Sequence, residues 1–440
     1  MIVLVRILGS FGRDRRANVA VVFALALIPL ISLVGSAVDY SRATQLYAKL
    51  QAAADAASVG SIAKTAPAFI AAGSMSSDGP VPGGSADATA IFNGNVANVS
   101  GYTLNGLNAT VTRTGSVVTS SVTFDASIPT MFMSVIGFNQ LTLHGTSAST
   151  VNMPQYVDFY LLLDNSPSMG VGATPADVQT MVNNTPDKCA FACHDLNDKN
   201  NYYDLARSLG VTTRMDVLRS ATQSLMDTAA STETYPSQFR MAIYDFGASA
   251  GSAGLRNLFT LSASLSSAKT AAGNIDLMTV NGQNQNGDQD TAFSSIFPSI
   301  NNAITSPGTG KPSAPLKYLF FVSDGVADES NAGCLKPLSG SSRCQSPLDS
   351  SLCTTIKNRG IKIAVLYTTY LALPTNAWYM QWIDPFNKGP YGPSPNSEIA
   401  KDMAACASPG LYFEVSPTEG ISDAMNALFR KVVADAHISQ

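Results

Sequence analysis

An apolar run, Leu161-Leu162-Leu163, leads straight into Asp164-Asn165-Ser166-Pro167-Ser168. One carboxylate and two hydroxyls at alternate positions therefore stand where a buried strand must end. A second apolar run, Tyr318 to Val322, ends in Ser323-Asp324-Gly325, and Asp290-Thr291 stands where the loop NGQNQNGDQD meets a helical stretch. Asp164, Ser166, Ser168, Thr291 and Asp324 are all oxygen donors. Hard cations such as Mg2+ and Mn2+ (and Ca2+) take about six oxygens and commonly retain water. Only two of the five donors are charged, so a bound dication keeps an open position that attracts a carboxylate from a partner. That chemistry is recognition and requires no base or nucleophile. Thr279 competes with Thr291 as the hydroxyl from the second loop. Each segment alone is also what an Asp/Ser/Gly turn uses. The case rests on two carboxylates at the carboxyl ends of strands in one sheet, the edge at which open α/β sheets bind ligands.

The elements that must position these residues begin at Val157. VDFYLLLD, FRMAIYDFG, PLKYLFFVSDG, IKIAVLYTTY and LYFEVS read as strands, with LRNLFTL a short edge strand. Between them RMDVLRSATQSLMDTAAS, Ser264–Ala272, Ala292–Ile304, LDSSLCTTIKNRG, EIAKDMAACAS and ISDAMNALFRKVVADA read as helices, Gly360 ending the fourth. Continuous apolar strands alternating with helices predict an α/β fold, a doubly wound, mostly parallel sheet covered on both faces.

Enzymatic constellations are poorly supported. The chain holds three histidines, His144, His194 and His437, none placed to serve Ser166 or Ser168 as a base. Gly308-Thr309-Gly310-Lys311 lacks the remaining phosphate-loop residues, with Thr305 and Pro312 at the required positions, and no Gly-x-Ser-x-Gly occurs. A Mg2+-dependent hydrolase would need a general base, and Asp328 and Glu329 read as solvated loop residues. A net charge of −4 argues against a nucleic-acid partner.

Ahead of this domain, Val19 to Val38 runs for about 20 residues without a charge, the length of a membrane-spanning helix. Arg6, Arg13, Arg15 and Arg16 precede it, so the N-terminus is expected in the cytoplasm and the remainder exported. A cleavable signal peptide ending near Gly35-Ser36-Ala37 is the competing reading. Leu46, Leu50, Ala53 and Ala57 continue at helical spacing, which favours one long anchoring helix. Residues 61–86 read as an Ala/Gly/Ser/Pro linker, 100–152 as strands of a small sheet, and Pro129–Gly137 between them as one short helix. The expected organisation is a basic cytoplasmic segment 1–16, a transmembrane helix 17–38, a helical stalk 39–60, a small antiparallel-sheet α+β domain 61–153, and the α/β domain 154–440 with an insertion at 171–212. The six cysteines, Cys189, Cys193, Cys334, Cys344, Cys353 and Cys406, all lie beyond the apolar helix, as disulfides of an oxidising compartment would. Proximity in sequence pairs Cys189 with Cys193 and Cys334 with Cys344, leaving Cys353 with Cys406, although sequence alone leaves connectivity open.

Asp164-x-Ser166-x-Ser168, Thr291 and Asp324-Gly325 resemble the metal-ion-dependent adhesion site (MIDAS) of the von Willebrand factor A domain. The resemblance implies that the three hydroxyls and two carboxylates bind a divalent cation directly or through water. It also implies an acidic protein ligand. The insertion 171–212 departs from simple A domains, in which the first helix follows the loop closely; it reads equally as a cap or as a surface insertion. DRRANVAVVFALALIPLISLVGSAVDYSRATQLYAKLQAAADAAS resembles the N-terminus of TadG-like proteins of the Tad/Flp pilus assembly system. That resemblance implies a single-pass protein of the bacterial inner membrane, with periplasmic or cell-surface C-terminal domains. Its partners would be other Tad components or pseudopilins, and its role pilus assembly, anchoring or surface adhesion rather than catalysis. A purely structural pilus component with a metal-independent A domain is the alternative. No acidic residue lies between Ala17 and Val38, a departure from pseudopilins with a Glu at their processing site.

Overall fold

The computed structural model describes residues 17–192, 194–195, 197–198, 201–280, 290–330, 336–337, 343–370, 372–388, 397–416 and 420–438. The chain divides into two compact units, Met1–Met153 and Pro154–Gln440.

The first unit is built on α1 (Ala17–Gly60), a helix of 44 residues. Its apolar N-terminal half is exposed and is long and apolar enough to cross a membrane. Ser32 and Ser36 donate to the carbonyls of Ile28 and Ser32, so neither hydroxyl is left unpaired in that half. In the C-terminal half Leu46, Leu50, Ala53, Ala54 and Ala57 are buried. That stripe packs on an antiparallel sheet ordered β1-β2-β3-β4: β1 (Gly79–Pro80), β2 (Thr103–Thr114), β3 (Val117–Pro129) and β4 (Gln140–Asn152). The inward residues of β3, Val118, Val122, Phe124, Ala126 and Ile128, follow the two-residue period of a half-buried strand.

Residues 61–86 are not a linker. They contain α2 (Pro67–Ser74) and the start of α3 (Gly84–Val96). Phe69 and Phe92 are wholly buried, and the Phe92 ring meets Phe124 at 5.9 Å. Asp87 accepts the Ala68 N–H at the start of α2, and Arg113 donates to the carbonyls of Ala72 and Met75 at its end. The 129–137 segment reduces to a single 3-10 turn, Met133–Ile136.

The second unit is a six-stranded sheet ordered β12-β11-β8-β5-β6-β7. Its strands are β5 (Val157–Leu163), β6 (Phe239–Asp245), β7 (Arg256–Ser262), β8 (Leu316–Ser323), β11 (Lys362–Thr368) and β12 (Tyr412–Val415). All pairings are parallel except the β6–β7 edge, as the doubly wound reading requires. Alternate residues of β8 serve opposite cores. Tyr318, Phe320 and Val322 face α6 (Arg214–Thr232) and α11 (Ile421–Ile438), whereas Leu319 and Phe321 face α8 (Phe293–Ala303), α9 (Ser351–Lys357) and α10 (Glu398–Cys406). A sheet covered on both faces demands such unbroken apolar strands.

The insertion is not a surface loop. It carries α4 (Pro175–Asn184) and α5 (Tyr202–Ser208), and Met181, Tyr203 and Ala206 enter one core while Val171, Ala190 and Phe191 enter the other. Asp328 and Glu329 are also buried, in β9 (Val326–Glu329), which pairs antiparallel with β10 (Cys344–Pro347). Arg343 donates to Asp328 through Nε at 2.8 Å, and Ser294 N–H donates to Glu329.

Cys353 and Cys406 form a disulfide that ties α9 to α10. Cys189 is not bonded to Cys193. Its thiol is free and buried among Ala190, Phe191 and Ala192, with Sγ 3.6 Å from the Phe191 carbonyl, and burial pushes its pKa up to about 11. Cys344 is disulfide-bonded; Cys193 and Cys334 lie outside the described residues. The Cys353–Cys406 bond closes a separation of 53 residues. Replacing both by serine is expected to remove about 2–4 kcal/mol of unfolding free energy, read from urea denaturation.

Candidate metal centre

The carboxyl ends of β5 and β8 lie side by side, with Leu163 in register with Val322. Asp164 N–H continues the ladder by donating to the Val322 carbonyl at 2.9 Å. The side chain of Asp164 is fully buried. Its Oδ1 accepts the Ser166 N–H at 2.9 Å and the Ser166 hydroxyl at 2.6 Å. Its Oδ2 accepts the Ser323 hydroxyl at 2.6 Å. Ser166 Oγ and Ser168 Oγ are 3.0 Å apart. Ser323 also accepts the Gly325 N–H at 2.9 Å, which locks the turn carrying Asp324. Gly325 takes φ +79°, and a Cβ there would lie 2.7 Å from Met403 Cγ. Glycine is thus required by both the backbone and the close helix.

Asp324 is also fully buried, yet among the described residues neither of its oxygens has a closely made hydrogen bond. Ser168 and Tyr370 are the hydroxyls turned towards it. The nearest cation is Arg214, whose Nη1 is 3.8 Å from Asp324 Oδ2. Arg214 is itself fully buried, donates through Nη2 to the Thr369 carbonyl at 2.7 Å, and lies 5.1 Å from the Tyr370 ring centroid. Its Nε and Nη1 have no hydrogen-bond acceptor among the described residues.

Asp164, Ser166, Ser168 and Asp324 thus form one cluster. Thr291 is buried and held beside β9 by reciprocal backbone hydrogen bonds with Asp328, on the strand that leaves Asp324-Gly325. Thr279 is committed elsewhere, its hydroxyl donating to the Ala248 carbonyl at 3.2 Å. Sequence reasoning missed Ser323 and Arg214. An arginine at the first position of a helix opposes the helix dipole, and that anomaly was the available signal. The neighbouring strand end, Asp245, is occupied by Arg256 and takes no part.

Two buried carboxylates at close range cannot both carry charge cheaply. Burial, then the charge of Asp324, push the Asp164 pKa from 3.8 up to about 7. Burial also raises that of Asp324, against the pull of Arg214. The pair titrates jointly. An acid whose pKa is raised on folding contributes stability that is full below its unfolded pKa and lost as pH rises through the folded one. The cation-free protein is therefore expected to lose stability between about pH 4 and pH 7, measured as the urea midpoint in chelator at pH 5 and pH 8. Among the described residues no three His, Cys, Asp or Glu side chains converge on one point. Two carboxylates and several hydroxyls, with no closely made hydrogen bond on the Asp324 oxygens among the described residues, instead fit a hard, oxygen-seeking dication.

Residues 17–61 match the family model described as putative Flp pilus-assembly TadE/G-like. A search of curated proteins finds no match. Among solved structures the chain is similar to the vWF domain of the type V pili tip protein Mfa5 from Porphyromonas gingivalis, with 10% identity over 64% of this chain and 97% of that one and a TM-score of 0.36. It is similar to proximal thread matrix protein 1 from the mussel byssus with a zinc-occupied MIDAS motif, at 11% identity, 64% and 46% coverage and a TM-score of 0.33. It is also similar to manganese-loaded TRAP protein of Plasmodium vivax, at 10% identity, 64% and 74% coverage and a TM-score of 0.31. The second unit is a doubly wound, mostly parallel sheet with an Asp-x-Ser-x-Ser loop at the end of an inner strand. The match to the TadE/G-like model falls on the helix that precedes it, α1.

Proposed function

We propose that this protein is a membrane-anchored component of Tad/Flp pilus assembly whose A-type unit holds a divalent cation, Mg2+ or Mn2+, and through it an acidic side chain of another protein. The observation that carries the reading is the buried pair Asp164 and Asp324, ringed by hydroxyls, with both oxygens of Asp324 lacking a close partner. Asp164, Asp324, Ser166, Ser168 and Thr291 would hold the ion. The ion supplies a Lewis-acidic position for a carboxylate, and the role is adhesive or structural rather than catalytic. In this reading α1 spans the inner membrane with its N-terminus in the cytoplasm, and the later units are exported.

Titration of Mn2+ into the full chain in detergent, followed by loss of the free-ion paramagnetic signal, tests the proposal. One saturable site is expected. Because the ion displaces a proton from Asp164, its affinity should rise between pH 5.5 and pH 7.5. Absence of saturable uptake at the higher pH would remove the metal-dependent mechanism. A second reading has its own support: Arg214 already supplies a positive charge beside Asp324, as a metal-independent structural component would need.

A further inference from the structure

The turn between β3 and β4 presents an apolar surface that no described residue of the first unit covers. Residues 126–143 contain no charged side chain. Within them Val135 is 75%, Met131 66% and Phe138 59% exposed, and Ile136 and Phe132 are also largely open. Yet the turn is firmly built. Phe138 N–H donates to the Met133 carbonyl at 3.0 Å and Thr130 N–H to the Asn139 carbonyl at 3.1 Å.

The turn is also fastened to one level of α1. Asp39 accepts three backbone N–H groups, those of Met131 at 3.1 Å, Phe132 at 2.8 Å and Met133 at 2.8 Å. Gly35 lets Phe132 approach the helix; a Cβ there would fall 2.3 Å from Phe132 Cβ. Asp39 is the first charged residue after the uncharged stretch that opens α1. Gly35, four residues earlier, lies about 6 Å further along the axis at 1.5 Å per residue.

We propose that residues 130–138 are a second membrane contact, an apolar wedge entering the interfacial layer of the leaflet that faces the exported units. The inference rests on reading α1 as the membrane anchor. If Val19–Val38 spans the hydrocarbon, Asp39 stands at its boundary and Phe132 lies one helical turn inside. Amphipathic elements lying in the interface bury their apolar side to about 5–10 Å, the depth at which Phe132 would sit. Lipid fits better than a protein groove because the patch continues the exposed apolar surface of α1 itself. Three N–H groups on Asp39 offset the cost of a carboxylate at that boundary. The wedge fixes the rotation and height of the first unit on the membrane, which a lone helix cannot do.

The test uses the full chain reconstituted in phosphatidylcholine/phosphatidylglycerol vesicles, with Val135→Trp compared against the wild-type emission of Trp378 and Trp382. Val135 is exposed, so the change does not endanger the fold. The added emission is expected to be blue-shifted, quenched by lipids brominated at shallow acyl positions, and protected from aqueous iodide. Emission at the wavelength of aqueous indole, with iodide quenching, would overturn the proposal. A blue shift without bromolipid quenching would also overturn it, and would assign the patch to a second copy of this chain. A chain that does not float with the vesicles at all would remove the anchor reading itself, an outcome distinct from a floating chain whose wedge stays dry of lipid.

Discussion

Asp164→Ala abolishes saturable Mn2+ uptake, weakening it by more than about 100-fold, while the protein still unfolds cooperatively. Loss of a ligand costs at least what loss of a group that only holds a ligand in place does, about 10–100-fold. Asp164 contributes a carboxylate and also orients Ser166 and Ser323 through hydrogen bonds of 2.6 Å each. The effect on stability is small because two terms oppose each other. Ser166 and Ser323 lose an acceptor, but Asp324 loses a like-charged neighbour that burial makes costly. Paramagnetic titration measures the first effect and urea denaturation in chelator the second. Wild-type affinity in this variant would exclude Asp164 as a ligand and return the second unit to a structural role.

Arg214→Met costs the cation-free protein about 3–5 kcal/mol, because it strands a buried carboxylate beside a neutral side chain. Methionine keeps most of the packing volume against Tyr370 and so isolates the charge. The same change should tighten Mn2+ binding about tenfold or more, since a fixed cation no longer repels the incoming ion. Ion at 100 times its dissociation constant would then return about 2.7 kcal/mol of the lost stability. Urea denaturation with and without Mn2+ reads both effects. Recovery by the ion supports a site at which Arg214 and metal are alternatives. Destabilisation that the ion does not relieve supports the metal-independent reading, in which the arginine is the permanent partner.

Both expectations depend on residues of unequal visibility in the sequence. Asp164 and Asp324 were legible because each closes an unbroken apolar strand, and a doubly wound topology sends such ends to one rim. Arg214 was not, because its partner lies beyond α6 in the chain and no local pattern links them. The helices α2 and α3 were hidden by composition. Their Ala, Gly and Ser residues read as linker, yet the large groups Phe69 and Phe92 reach a shared core. The insertion was visible as extra length, but its contribution to two cores depends on where Met181, Tyr203 and Phe191 land in space. Asp328 and Glu329 looked solvated because Arg343 and Ser294, which bind them, arrive from other segments. Long-range electrostatic pairing, more than secondary structure, is what the one-dimensional reading lacked.

The position of β5 has a mechanical consequence. The connection from the first unit enters the second at the amino end of this strand, and Asp164 stands at its other end. Tension between an anchor behind Pro154 and a ligand held at Asp164 would run lengthwise along seven residues. β5 is flanked by β8 and β6, each paired with it from Val157 to Leu163. A pull between the two ends of one strand is carried by its covalent backbone, and the ladders on either side keep that strand straight and in place. Traction from a partner bound at Asp164 would therefore reach the anchor through a strand that is paired on both sides along its whole length.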